Sequence, residues 1–407
     1  MGVSSAFLFL HLGRVLPWAI VRIYLDYNAT SPVLPEVVQT MAHVLADIPG
    51  NASSVHAFGQ AAKAVIDDAR SDVAALIGAE PTEVVFTSGG TEADNLALRG
   101  AAEALEPTGR RHLVTTGIEH EAVLNTVKVL ERRGWRATVL STGTSGVLAP
   151  GALREVVTSD TGIVSIMHAN NEVGTIQPIA ELAAIARASG ALFHADAVQA
   201  VGKIPVAVKT LGADLVALSA HKFGGPKGIG ALWIRRGVRL QPQQTGGRHE
   251  RSRRAGTENV AAIAGMGVAA RYAAQSLREP DRIGPLRDRL EREILARVPA
   301  TALNGDPRSR VPNTTNISFD GIEAESLLIA LDLEGVAVST GSACSSGSLE
   351  PSHVLRAMSL PSPRARNSLR FSLGRGTTEA EIDFVVEILP GLAQRLRQIG
   401  RAAVAAR

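Results

Sequence analysis

Residues Asp214–Arg236, DLVALSAHKFGGPKGIGALWIRR, set the frame for the rest of the chain. The runs DLVALSAH and IGALWIRR are apolar on successive residues, so each reads as a strand buried on both faces. Between them stands Lys222, preceded by Ser219 and His221 and followed by a Gly/Pro turn. A lysine at the end of a buried strand, with a flexible turn behind it, suits a Schiff-base role toward a bound aldehyde. Taken by itself it also reads as a solvated loop lysine.

Outward from this stretch, Glu83 to Arg236 alternates β-branched runs with helical patterns: EVVFTSGG then TEADNLALRGAAEAL, HLVTTG then EAVLNTVKVLERRG, GIVSIMHAN then IAELAAIARASG. With ALFHADAV as a further buried strand, the pattern predicts an α/β fold. A large domain with a mostly parallel sheet flanked by helices would carry functional residues at the strand ends. The texture changes near Gln275–Pro285. Beyond it come LRDRLEREILARV, NISFDG, AESLLIALDLEG, VAVST, LRFSLG and a long terminal helix whose start, Thr378-Glu379-Ala380-Glu381, has the form of a capping box. The expected organisation is a large domain over 32–275 and a smaller α+β domain over 21–31 and 276–407. Residues 1–20, MGVSSAFLFLHLGRVLPWAI, lack a basic start and a cleavage site and read as an extension outside the core, with a targeting sequence as the alternative. No stretch reaches the roughly 18 consecutive apolar residues of a membrane span.

Composition narrows the function. The 407 residues, 45% hydrophobic, are enough for more than one core. Lys+Arg at 42 against Asp+Glu at 39 leaves a formal charge of +3, which gives no basis for a broad nucleic-acid surface. The only cysteine, Cys344, lies in Ser339–Gly347, STGSACSSG. One thiol excludes an internal disulfide or a thiolate zinc module, and a reducing cytoplasm is the expected compartment. A lone cysteine is commonly an inert core residue, but these small, flexible neighbours do not suit a core.

Three other features bear on chemistry. Asp196, in His194-Ala195-Asp196-Ala197, ends an apolar strand, where a carboxylate could pair with a protonated ring nitrogen or serve as a helix cap or buried salt bridge. Ser88-Gly89-Gly90-Thr91-Glu92 joins a strand to a helix and would leave N–H groups open to an anion, as many such turns do. Arg370, in SLRFSLGR, is a natural anchor for an amino-acid carboxylate, with Arg375 as its rival.

Together YLDYNATSP, SGGTEADNLAL, EHEAVLNT, MHANNEVGTIQP, HADAVQAVGK, SAHKFGGPKGIGALW, RRAGTENV, GSACSSGS and SLRFSLGR resemble the cysteine desulfurases of the IscS and NifS type. These are fold-type I pyridoxal-phosphate (PLP) transferases of the class V aminotransferase superfamily, and the motifs run in that family's order from about Tyr24 to the terminal helix. The resemblance implies pyridoxal 5'-phosphate as cofactor, with Lys222 as its Schiff-base lysine and Asp196 on the pyridine nitrogen. Gln199 and Asn171 would meet the phenolic oxygen, and His120 would stack on the ring and act as an acid/base group. Gly90, Thr91, Ser219 and His221 would hold the phosphate, and Thr257 would reach the phosphate of the partner subunit in a homodimer. Arg370 would bind the substrate carboxylate, with Asn171 and Asn28 also at the substrate.

The implied reaction converts L-cysteine to L-alanine, with the Cys344 thiolate as nucleophile and a persulfide as its product. An acceptor protein would take that sulfur for iron-sulfur cluster assembly, other sulfur-containing cofactors or tRNA thiolation. No stable metal is implied beyond Cys344 as a transient iron-sulfur ligand shared with a scaffold, and neither direct nucleic-acid binding nor a membrane is implied. The alternatives are a related class V enzyme, an aminotransferase or selenocysteine lyase, in which Cys344 is dispensable, and a non-catalytic binding protein on the same fold.

Overall fold

The computed structural model describes residues 22–341 and 351–405. Cys344 and the N-terminal stretch 1–20 lie outside the described residues. In chain order the strands are β1 (Ile23–Tyr24), β2 (Val84–Thr87), β3 (His112–Thr116), β4 (Arg136–Leu140), β5 (Thr161–Ser165), β6 (Leu192–Asp196), β7 (Leu215–Ser219), β8 (Gly230–Ile234), β9 (Thr301–Asn304), β10 (Thr314–Phe319), β11 (Val336–Ala337) and β12 (Ser368–Ser372).

Strands β2 to β8 form one sheet in the order β2-β8-β7-β6-β5-β3-β4. The pairs β3–β4, β3–β5, β5–β6 and β6–β7 are parallel, and β8 runs antiparallel to both of its neighbours. Residues 220–229 connect β7 to β8, fewer than the dozen or so that a parallel crossover needs, so the chain turns back on itself. The strands β2, β3, β5, β7 and β8 are buried at every position, as continuous apolar runs predict. Helices cover both faces. Leu182, Ile263 and Met266 pack on one side, and Leu96, Val123 and Leu130 on the other. No helix among the described residues is long and apolar enough to cross a membrane.

A second core gathers around the antiparallel sheet β12-β10-β9 and the parallel pair β1–β11, with Leu25, Leu290, Phe319, Leu331, Phe371 and Val385 buried together. Each such side chain contributes about 1.5–3 kcal/mol on burial. Its last helix, Glu379–Ala405, opens with the expected box: Thr378 N donates to Glu381 Oε2 at 2.7 Å, and Glu381 N donates to Thr378 Oγ1 at 3.3 Å. The first described residues belong to this second core through Ile23 and Leu25, whereas Leu34 and Val37 pack against Val268 and Ala269 of the large helical layer. Residues 26–31 therefore cross between the two cores, and the crossing positions the site.

Candidate active site

Three strand ends make one wall. Strand β6 ends at Asp196, β7 ends at Ser219 and leads into a turn carrying His221 and Lys222, and residues 167–172 follow β5. The crossing segment lies against them: Lys222 Nζ donates to the carbonyls of Asn28 at 2.6 Å and Ala29 at 2.8 Å.

Asn28, 1% exposed, is the hub. Its amide donates to Asn171 O at 3.0 Å and Thr314 Oγ1 at 2.8 Å, and its carbonyl accepts from Gln199 Nε2 at 3.0 Å. Arg370 then donates from Nη1 to Asn171 O at 3.0 Å and from Nη2 to Asp26 Oδ1 at 2.6 Å. Its Nε is buried without a hydrogen-bond partner among the described residues, and so is Asn171 Oδ1. The rival, Arg375, stacks over the Tyr272 ring instead.

Beside this wall lies a cavity of about 490 Å³ lined by Ala29, Thr30, Ser88–Glu92, Ser219, His221, Lys227 and Gly228. It sits at the start of the helix Gly90–Leu105, whose N-cap Gly89 offers no side-chain cap, so first-turn N–H groups stay available to an anion. A Cβ on Gly90 would stand 2.7 Å from Val198 Cγ2, so a larger residue fits there only if that wall shifts. Four residues expected at a phosphate, Gly90, Thr91, Ser219 and His221, line this one cavity. The unpartnered Asn171 oxygen and the buried Asp196 carboxyl add polar capacity that a flat, charged heterocycle would use, so the residues fit pyridoxal phosphate.

The electrostatics follow from burial. Asp196 Oδ1 accepts from Val198 N at 2.9 Å, and desolvation raises its pKa against the pull of His120 and Lys222. His120 caps the helix Glu121–Arg132, its Nδ1 accepting from Ala122 N at 3.1 Å, and burial lowers its pKa below the usual imidazole range. A neutral ring with Nδ1 so engaged carries its proton on Nε2. His221, beside Thr30 Oγ1 at 3.2 Å, falls to about 4 through desolvation and the Lys222 and Lys227 charges.

Thr257 is exposed and does not line its own chain's cavity. Before it, Glu250, Arg251 and Ser252 have φ of 45°, 56° and 63°, a left-handed run that costs on the order of 1–3 kcal/mol per residue. Glu250 anchors this run through a buried two-pronged ion pair with Arg70, both contacts at 2.7 Å.

Several residues here were not singled out from the sequence. Lys203 donates to Asn28 Oδ1 at 2.7 Å and to Gln199 Oε1, and enclosure of its amine together with the Lys222 and Arg370 charges lowers its pKa well below that of a free lysine. Asp26 holds Arg370. Glu119 is fully buried behind His120, with Oε1 accepting from Thr116 Oγ1 at 2.6 Å and Met167 N at 3.0 Å, and desolvation raises its pKa to about 8. The Gln199–Lys203 spacing was the available signal for Lys203; the buried acids carry none, because burial of a polar residue is not written in local pattern.

Residues 23–385 match the family described as aminotransferase class-V. The cysteine desulfurase of Trichormus azollae is 50% identical over 381 residues, covering 93% of this chain and 94% of that protein. The cysteine desulfurase IscS of Dictyoglomus turgidum is 48% identical over 379 residues, covering 93% and 96%. Among solved structures, a NifS-like protein superposes with a TM-score of 0.86 at 36% identity, covering 92% of this chain and 100% of that one. With its seven-stranded sheet, its strand-end lysine and these relatives along nearly its whole length, the chain belongs to the class-V aminotransferase family, in its cysteine desulfurase branch.

Proposed function

We infer that this chain is a pyridoxal-phosphate-dependent cysteine desulfurase whose Cys344 receives the sulfur of L-cysteine. The observation that carries the reading is a single hydrogen-bonded path from Lys222 through Asn28 and Asn171 to Arg370. It ties an amine suited to hold an aldehyde cofactor to a guanidinium suited to hold an amino-acid carboxylate. Gly90, Thr91, Ser219 and His221 hold the phosphate, Asp196 takes the ring nitrogen, and Gln199 and Asn171 take the phenolic oxygen. The bound cofactor supplies an electron sink that makes the bonds at the amino-acid Cα labile.

The chain's own residues do the rest. Arg370 orients the substrate through the guanidinium N–H groups that Asn171 O and Asp26 leave over. Lys222 moves the proton at Cα. The C–S bond of L-cysteine breaks, its sulfur joins Cys344 Sγ, and its β-carbon gains a proton, which leaves alanine and a persulfide. The proton that the β-carbon gains is the one the Cys344 thiol gives up on becoming the nucleophile, and His120, its Nδ1 held by the backbone, presents Nε2–H as a hydrogen-bond donor.

A second copy of the chain completes the site. Exposed Thr257 on its strained approach supports a contact to the partner's phosphate, and exposed Val33, Val38 and Leu45 beside the crossing segment give an apolar face for the pairing. The persulfide passes to an acceptor protein, with iron-sulfur assembly the use that an IscS-like chain fits. The cytoplasm suits it, because a thiol nucleophile must stay reduced. The two cores support a division into 32–275 and 21–31 with 276–407, the cofactor wall in the first and Arg370 and Cys344 in the second.

Purified protein should be yellow with bound cofactor. Colourless protein that pyridoxal phosphate fails to reconstitute would remove the reading.

A further inference from the structure

Both flanks of residues 342–350 meet at one buried carboxylate. On the N-terminal side, Ser339 pairs with Arg370 through two backbone bonds, Arg370 N to Ser339 O at 2.7 Å and Ser339 N to Arg370 O at 3.2 Å. Gly341 follows at φ 88°, and a Cβ built on it would stand 2.4 Å from Glu172 Oε2. Only glycine lets the backbone approach the carboxylate this closely. On the C-terminal side, Ser352 Oγ donates to the same Glu172 Oε2 at 2.5 Å while accepting from Leu355 N at 3.2 Å. The next residue, His353, donates from Nε2 to Glu119 O at 2.9 Å.

Glu172 is itself fixed from below. It is 1% exposed, its N–H donates to Asn170 Oδ1 at 2.8 Å, and its carbonyl accepts from Asn316 Nδ2 at 3.3 Å. It also directly follows Asn171, which bonds Asn28 and Arg370.

We propose that Glu172 is a positioning residue for the sulfur-accepting step, clasping both flanks of 342–350 to the wall that carries Asn171. The inference rests on the reading of Cys344 as sulfur acceptor. Covalent geometry keeps the Cα of Cys344, three residues on, within roughly 11 Å of Gly341. Holding Gly341 and Ser352 against one carboxylate therefore ties both ends of the segment that carries the thiol to this wall, which favours its encounter with substrate. Asn171 keeps its own bonds to Asn28 and Arg370, and Lys222, Asp196 and the phosphate residues stand at other strand ends.

The test compares wild type with Glu172→Ala, Glu172→Gln and Ser352→Ala in the full-length holoenzyme. Three quantities are measured: persulfide on Cys344 in a single turnover, retention of pyridoxal phosphate, and affinity for L-alanine. Hydrogen exchange at 339–341 and 352–355 is followed on the same proteins. Glu172→Ala and Ser352→Ala are expected to slow persulfide formation about tenfold, corresponding to ~1.4 kcal/mol, with cofactor and L-alanine binding unchanged. Exchange at the two flanks accelerates and exchange at 192–196 does not. Glu172→Gln, which keeps an acceptor for Ser352, restores the rate to within about threefold. Persulfide formation at the wild-type rate in both truncations overturns the clasp, and so does loss of cofactor or L-alanine binding in step with the rate. Should Glu172→Ala fail to fold, Ser352→Ala decides the matter. Wild-type protein that forms no persulfide on Cys344 overturns the functional reading itself, and the clasp with it.

Discussion

The ends of β6 and β7 are held by backbone ladders, with His194, Ala195 and Asp196 in register with Leu215, Val216 and Ala217, and β8 closing the far side of β7. The flanks of 342–350 are held more sparsely: β11 is two residues long, and beyond it stand one two-bond backbone bridge between Ser339 and Arg370, the close approach of Gly341 to Glu172, and the Ser352 side chain on Glu172. A ladder moves only if a sheet opens, whereas the Ser352–Glu172 bond is removable by one substitution. Proton transfer at a fixed Cα needs the first kind of support. In the proposed reaction, a thiol that takes up sulfur and passes it to an acceptor needs the second.

The largest break in that contrast comes from the rigid side. Lys222→Ala removes the amine without touching a ladder, so the fold and the flanks should persist while turnover falls by at least about 10³-fold, measured as alanine released from L-cysteine.

Next in size is a stability effect. Buried Glu119 has its folded pKa raised to about 8 from an ordinary 4.5, so its stabilising protonated form is fully present below about pH 4.5 and lost as pH rises through 8. Glu119→Gln, which cannot ionise, should match wild type in acid and exceed it by ~5 kcal/mol near about pH 9, read from denaturant melts. Equal pH profiles would show that the wall behind His120 tolerates the charge.

A smaller effect lies where the two regions meet. Arg370→Lys keeps a cation for Asp26 and loses the planar fork, so the KM for L-cysteine should rise about 10- to 100-fold with a lesser change in kcat. A fall in kcat alone would detach Arg370 from substrate binding. Smallest is Gly90→Ala, which crowds Val198 and should weaken cofactor retention about tenfold, followed by dialysis and residual absorbance.

The rigid region was the legible one. Its strands are buried on both faces and so are continuously apolar, and the residues proposed for its function stand at their ends, where a polar residue interrupts an apolar run. Edge strand β4, RATVL, was missed because partial exposure breaks its apolar run, and β9, TALN, because it is short and half-buried. Strand β8 was recognised, but its reversed direction depends on connection length more than on its own composition. Asn28 is a hydrogen-bond hub because residues 26–31 cross between cores, a tertiary fact. Glu172 and Ser352 stand 180 residues apart, and nothing local announces their contact. Side-chain clasps join residues distant in sequence, whereas strand ends are written locally.

The central claim is that sulfur leaves L-cysteine onto Cys344. L-cysteine is supplied to wild-type and Cys344→Ala holoenzyme, and alanine and protein-bound sulfur are counted per site. Wild type should release alanine with matching persulfide on Cys344. The variant should stay yellow and bind L-cysteine, yet release essentially no alanine. Alanine released by the variant at the wild-type rate would contradict the account.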